Sequence, residues 1–147
     1  MFIQDLTSAD AIPVLSATMR MAGQRQRYIS HNIANLSTPD FRPVDVPVAE
    51  FRDILSDAVD RRREKHDGVR GDLDLKQTRH FRTDDAGHLN LRPSEVGDNL
   101  LFHDRNDRSL ESLMQDLVEN AGAYRVAADL LRSRFDLLNA AIRERIG

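Results

Sequence analysis

Residues 108–146 read RSLESLMQDLVENAGAYRVAADLLRSRFDLLNAAIRERI, and their spacing decides the fold. Leu110, Met114, Leu117, Ala121, Tyr124, Ala128, Leu131, Phe135, Leu138 and Ile142 recur at steps of four and three without a break. That is the 3.5-residue repeat of a coiled-coil seam. No proline interrupts it, and Gly122 alone weakens the helix. At 1.5 Å per residue the segment is roughly 58 Å long, more than so small a chain can cover. Beside the stripe sit Leu113, Ala127, Leu130, Leu137 and Ala141, so the apolar face is too broad for one partner helix. A helix sunk in an ordinary bundle would show the same periodicity.

A second seam lies near the other end. Ile12, Leu15, Met19, Ala22, Gln26, Ile29, Ile33 and Leu36 again step by three and four, with Gln26 as the one polar interruption. Asp10 is a good N-cap, and Pro13 falls in the first turn, where its missing N–H costs little. Arg20, Gln24, Arg27 and His31 form the opposite face, expected to be solvated. Thr38 precedes Pro39 and is pushed out of the α region, so the helix should stop near Leu36.

Between the seams the pattern is weaker. Val48, Phe51, Leu55, Ala58 and Val59 predict a short amphipathic helix that dissolves into the charge run Asp60–Asp67, read as a solvated loop. Leu73 and Leu75, then Leu89 and Leu91, alternate with polar residues around the turn residues Asp84–Gly87, which predicts a pair of short strands. Asp104, Asn106 and Asp107 can each cap the long helix. The expected organisation is mainly α: a coiled-coil helix over 1–36, a middle connector over 37–107 with short helix and strands, and a coiled-coil helix over 108–147.

The formal charge of −3 argues against a general nucleic-acid binder. With no cysteine there is no disulfide framework, thiolate metal site or cysteine nucleophile. The opening residues Met1–Asp5 lack the features of a secretory signal, and no apolar run reaches the ~20 residues of a membrane span. His31, His66, His80, His88 and His103 never fall at the spacing of a helical metal pair, and nucleotide-binding and nucleophile-elbow motifs are absent. Asp72 and Asp74 on an alternating strand simply point outward. No catalytic, cofactor or metal site and no small-molecule substrate is expected.

The densest run of specifying residues is the exit of the first helix, Ser30-His-Asn-Ile-Ala-Asn-Leu-Ser-Thr-Pro-Asp-Phe41. The amides of Asn32 and Asn35 can bond there to orphan helix carbonyls or to a neighbouring chain. A polar C-terminal cap would explain them equally well.

Asn32, Ala34 and Asn35 followed by Thr38, Pro39, Asp40 and Phe41 closely resemble the Asn-x-x-Asn-x-x-Thr-Pro-Gly-Tyr signature of bacterial flagellar rod and hook axial proteins. Arg25-Gln-Arg27, Arg42-Pro-Val-Asp45, Glu119-Asn120-Ala-Gly-Ala-Tyr124-Arg and Ala140-Ala-Ile142-Arg143 look most like the proximal-rod members. The likeness covers about the first and last fifty residues and is weak over Glu50 to Pro93. Asp40 stands where the family has Gly or Asn, and Phe41 where it has Tyr.

The resemblance implies a structural subunit of the periplasmic rod of the flagellar basal body, without enzyme activity or cofactor. The terminal helices would pair as a coiled coil, with a seam of Leu15, Met19, Ala22, Ile29 and Ile33 against Leu117, Ala121, Tyr124, Leu131, Phe135, Leu138 and Ile142. It further implies type III export without a cleaved signal peptide. The implied partners are copies of itself, other rod proteins, and the inner-membrane ring and export gate at the rod base. Before assembly the helices are expected to be largely unpaired, because isolated helices are marginal in water. The rival is a cytosolic coiled-coil adaptor or export chaperone forming a closed dimer, which shares the heptads but has no reason for the Asn-x-x-Asn-x-x-Thr-Pro junction.

Overall fold

The structure, a computed structural model, describes residues 11–66, 71–84, 87–96 and 107–144. Helix α1 spans Ile12–Ala34, strand β1 Val44–Asp45 and helix α2 Val48–His66. Strands β2 (Phe81–Thr83), β3 (Leu89–Leu91) and β4 (Ser94–Glu95) follow, and helix α3 closes the chain at Asp107–Glu144. The mainly α architecture, with long terminal helices around a small irregular middle, is the one the heptads predict.

Helices α1 and α3 lie antiparallel within the single chain. Arg25 meets Asp116, Ala22 and Gln26 meet Asn120, and Gly23 faces Tyr124, so rising numbers on α3 match falling ones on α1. The terminal helices are paired within one chain in this structure, where the sequence reading expects them to be largely unpaired before assembly. Buried polar contacts between them reward that pairing beyond what apolar stripes alone supply. Helix α3 outruns its partner: 38 residues against 23 leave its C-terminal end beyond the start of α1.

The opposite flank of α1 carries the middle region. Ala17 and Met21 join Val46, Phe51, Ile54, Phe81, Leu89 and Leu91 in the main core, with the Phe51 and Phe81 rings 5.5 Å apart. Val44 and Asp45 pair antiparallel with Glu95 and Ser94, so β1 and β4 tie the exit of α1 to the approach of α3.

Several local expectations give way. Helix α1 ends at Ala34 with Asn35 as its C-cap, and Ala11 stands at the N-cap with no side-chain bond. Asp10, Asp104 and Asn106, proposed as caps, lie outside the described residues. The charge run is helical through His66, since arginine, glutamate and lysine are good helix formers. Within it Arg62 is buried, and Arg61 donates to the carbonyl of Asp74. The hairpin pairs Phe81–Thr83 with Leu89–Leu91, whereas Leu73 and Leu75 pack against the core without joining a strand. Phe81 decides the difference, because its buried ring anchors the first strand eight residues later than the leucine alternation suggests. Its turn does use Asp84 and Gly87: the Gly87 N–H donates to the Asp84 carbonyl, at a positive φ of 77°.

Candidate functional site

The exit of α1 is built from side-chain amides. Asn32 is 2% exposed, and its Nδ2 donates to the Val44 carbonyl at 2.8 Å while its Oδ1 accepts from the Val44 N–H at 3.1 Å. One side chain thus satisfies both backbone groups of the first residue of β1. Asn35 caps the helix: its Nδ2 donates to the His31 carbonyl at 2.8 Å, and its backbone N–H to the same oxygen at 3.1 Å. The amides serve the chain itself, and neither is spare for a neighbour in this conformation.

Beyond Asn35 the chain reverses in two turns. The Thr38 N–H donates to the Asn35 carbonyl and the Phe41 N–H to that of Thr38, with Pro39 and Asp40 at the centre of the second turn. Asp40 has φ +60°, the left-handed backbone that favours glycine. That geometry explains why glycine is usual there in the sequences this motif resembles. Phe41 folds back to place its ring edge-on to His31, with centroids 5.4 Å apart. Ala34 and Pro39 are exposed.

A polar line continues from this junction into the helix pair. The Arg25 guanidinium, 7% exposed, donates to both Asp45 oxygens and reaches Asp116 at 2.8 Å, joining α1, β1 and α3 at one point. Burial works against its charge, but the hydrogen bonds to Asp45 and Asp116 outweigh that and raise its pKa above the usual arginine value. One turn further, Asn120 Nδ2 donates to the Ala22 carbonyl and to Gln26 Oε1. Gln26, read as a register-fixing interruption, therefore meets its amide partner on α3 rather than an apolar side chain.

Gln24 repeats the device on the other flank of α1. Its Nε2 donates to the Leu89 carbonyl and its Oε1 accepts from the Leu91 N–H, so the amide pairs with the free edge of β3. Of the face assigned to solvent, Arg20, Arg27 and His31 are exposed as expected, while Gln24 holds the hairpin, helped by Tyr28, whose hydroxyl donates to the Leu91 carbonyl. Gln24, Arg25 as a bridge and Asn120 were not singled out from sequence. Arg25 and Asn120 stand in stretches that resemble the rod family, but the contacts they make were signalled only by polar side chains beside or inside an apolar stripe.

Of the seam residues on α1, Ala22 and Ile29 are buried while Leu15, Met19 and Ile33 are half-buried. On α3 the residues buried against α1 are Leu113, Asn120 and Ala127. Leu117, Ala121, Leu131 and Leu138 lie half-buried beside that line, whereas Tyr124, Phe135 and Ile142 are exposed. The α1-facing line therefore runs one position off the heptad stripe, and two apolar flanks of α3 stay open. Leu110, Met114 and Val118 form one, in the first half of the helix; Val126, Leu130 and Leu137 form the other, in the second half. Val118, Val126 and Leu137 are 70%, 60% and 63% exposed, so α1 covers little of either.

Between the ends of β4 and α3 lies a cleft of about 190 Å³ lined by Ile29, Asn32, Pro43, Asp45, Val96, Ser112, Leu113 and Asp116. Its charged walls are carboxylates already engaged by Arg25. Among the described residues no cluster of histidine and carboxylates could hold a metal, and no helix is long and apolar enough to cross a membrane.

No protein-family profile matches the chain, and no solved structure does. Over 122 residues, 81% of this chain and 85% of the relative, it is 29% identical to the flagellar basal body rod protein FlgB of Borrelia hermsii. An aligned span that long within 147 residues takes in all of the middle region 37–107 and the junction Asn32–Phe41, wherever it begins. The aligned span thus runs through the central residues, where the motif resemblance was weakest.

Proposed function

We propose that this chain is a structural subunit of the proximal rod of the bacterial flagellar basal body. It polymerises through its terminal helices into the shaft that carries torque, and its role is mechanical rather than catalytic. The observation that carries the reading is the similarity to FlgB over most of both chains. The form of α3 supports it, because the two open apolar flanks offer a broad surface to further helices.

The mechanism is burial. A shaft of packed copies covers Val118, Val126, Leu130 and Leu137, at around 25 cal/mol per Å² of apolar area before ordering costs are subtracted. Interlocked helices then resist twist, because none can rotate without disturbing several packed neighbours. The two flanks lie on different halves of α3, which suits contact with different neighbours. On this reading residues 1–36 and 108–147 form the helical layer of the shaft, residues 37–107 form its middle connector, and Asn32–Phe41 is the brace between them. Other rod proteins, copies of itself, and the inner-membrane ring and export gate at the rod base are the partners. The chain reaches the periplasm by type III export.

Leu130→Glu with Leu137→Glu tests the reading, since both side chains are exposed in the single chain and the fold should survive. The expected result is a helical, exported protein in cells that build no rod and do not swim. Normal swimming would overturn it. The closed-dimer adaptor predicts instead a sharply defined dimer in light scattering and retention in the cytosol.

A further inference from the structure

We propose that neighbouring copies also meet through their middle regions, the acidic ridge of α2 on one copy seating against the basic outer face of the β2–β3 hairpin on the next. The proposal rests on the shaft reading for the presence of neighbouring copies, but it concerns a different surface from the helical flanks.

The ridge is Asp53, Asp57, Asp60 and Glu64, at steps of four, three and four, which places four carboxylates along one side of α2. All four are exposed, and the side opposite them carries the buried Phe51, Ile54 and Ala58. Asp60 approaches Arg63 at 3.5 Å across open surface, a contact of little worth. Asp53, Asp57 and Glu64 have no hydrogen-bond or ion-pair partner among the described residues.

The hairpin face follows from its register. Phe81, Leu89 and Leu91 point into the core, so Arg82 and its partner Asn90 point out. The same alternation carries Arg92, whose N–H bonds to the His80 carbonyl, onto the outer face. Arg82 and Arg92 are exposed and lack partners among the described residues, as do Lys76 and Arg79 on the preceding segment. Two carboxylates around the hairpin are already engaged, Glu50 with His80 at 2.8 Å and Asp84 with His88 at 3.3 Å.

Within one chain the two surfaces cannot meet, because the ridge is on the far side of α2 from the core on which the hairpin sits. A second copy supplies both complements at once. An anionic lipid surface would engage the hairpin only and would repel the ridge. A head-to-tail contact of this kind propagates into rings or helical filaments. Its main contribution is register and partner choice, and it weakens with salt.

The full-length chain tests this by sedimentation at low and high ionic strength, with circular dichroism to verify folding. Arg82→Glu with Arg92→Glu, and separately Asp53→Lys with Asp57→Lys, should each weaken self-association by at least about tenfold at low salt. An equimolar mixture of the two variants should recover it, since each then carries what the other has lost. Unchanged association of either variant, or a mixture that fails to recover, overturns the proposal and leaves the shaft reading standing. Wild-type chain that does not self-associate at any ionic strength overturns both. Binding of wild type to phosphatidylglycerol vesicles that Arg82→Glu with Arg92→Glu abolishes, with self-association unchanged, assigns the hairpin to lipid and overturns it as well.

Discussion

Asn32 holds Val44 by both hands: the amide at the end of α1 gives one hydrogen bond to the Val44 carbonyl and takes one from its N–H. It stands where a neighbouring strand would stand, inside a site almost closed to water. Asn32→Ala leaves two backbone groups without partners, each worth about 1–3 kcal/mol when buried. The expected loss is about 2–4 kcal/mol, read from urea midpoints. A midpoint within experimental error of wild type would show that the clamp is dispensable.

Asp40 pays for a backbone that glycine adopts freely. Its φ of +60° is the left-handed region, where aspartate is tolerated but disfavoured. Asp40→Gly should therefore stabilise the fold by roughly 0.5–1 kcal/mol, the relief of strain exceeding the extra entropy of the unfolded chain. Asp40→Val should do the reverse, more strongly. Thermal unfolding of the three proteins side by side would decide it.

Much of this fold could be read from spacing, and the reason is locality. A 3.5-residue repeat is written in consecutive residues, so α1 and α3 were legible, as was the stop of α1 ahead of Pro39. The hairpin's turn was legible through Asp84 and Gly87, but not the start of its first strand, because that depends on where Phe81 finds Phe51. The polar staples were beyond reach for the same cause. Gln24 finds its partners in Leu89 and Leu91, Arg25 finds Asp116, and Asn120 finds Ala22, at separations of 65, 67, 91 and 98 residues. A polar residue beside an apolar stripe looks like solvent-facing surface until the element that covers it is known. The junction was found by its density of specifying residues, yet its amides turn inward to brace the chain.

Arg25 sits between two carboxylates, and removing it leaves both without their cation. Asp45 and Asp116 keep some contact with water, their side chains 22% and 33% exposed, which moderates the penalty. Arg25→Met should cost about 2–3 kcal/mol, below the full range for a deeply buried pair. Adding Asp45→Asn and Asp116→Asn to that variant should recover a part of the loss, because no uncompensated charge then remains. A triple variant less stable than Arg25→Met alone would contradict this account.

The docking of the hairpin onto α2 should be acid-sensitive. Glu50 accepts a hydrogen bond from Thr78 and pairs with His80, and together these outweigh burial and hold its pKa below the usual glutamate value. A carboxylate with a depressed folded pKa contributes stability that is complete above its unfolded pKa, about 4.3, and is lost as pH falls through the folded value. The stability gap between wild type and Glu50→Gln should thus be present at about pH 5 and shrink steadily as pH falls below it. Urea titrations across that range measure it, and a gap that widens toward acid would contradict the sign.

Gly122 separates what the single chain needs from what the proposed shaft would need. It lies between the exposed Val118 and Val126 at helical spacing, and a Cβ built there meets nothing within 4 Å. In the isolated protein Gly122→Ala should therefore stabilise α3 by up to about 1 kcal/mol, since alanine loses less backbone freedom and no neighbour is displaced. In the proposed shaft the same position would be a notch between two valines, where a neighbouring helix can approach closely. Filling it should raise the melting temperature of the single chain while impairing swimming. If the variant melts higher and the cells swim as before, the neighbours do not use that notch, and the open flanks of α3 must be covered from elsewhere.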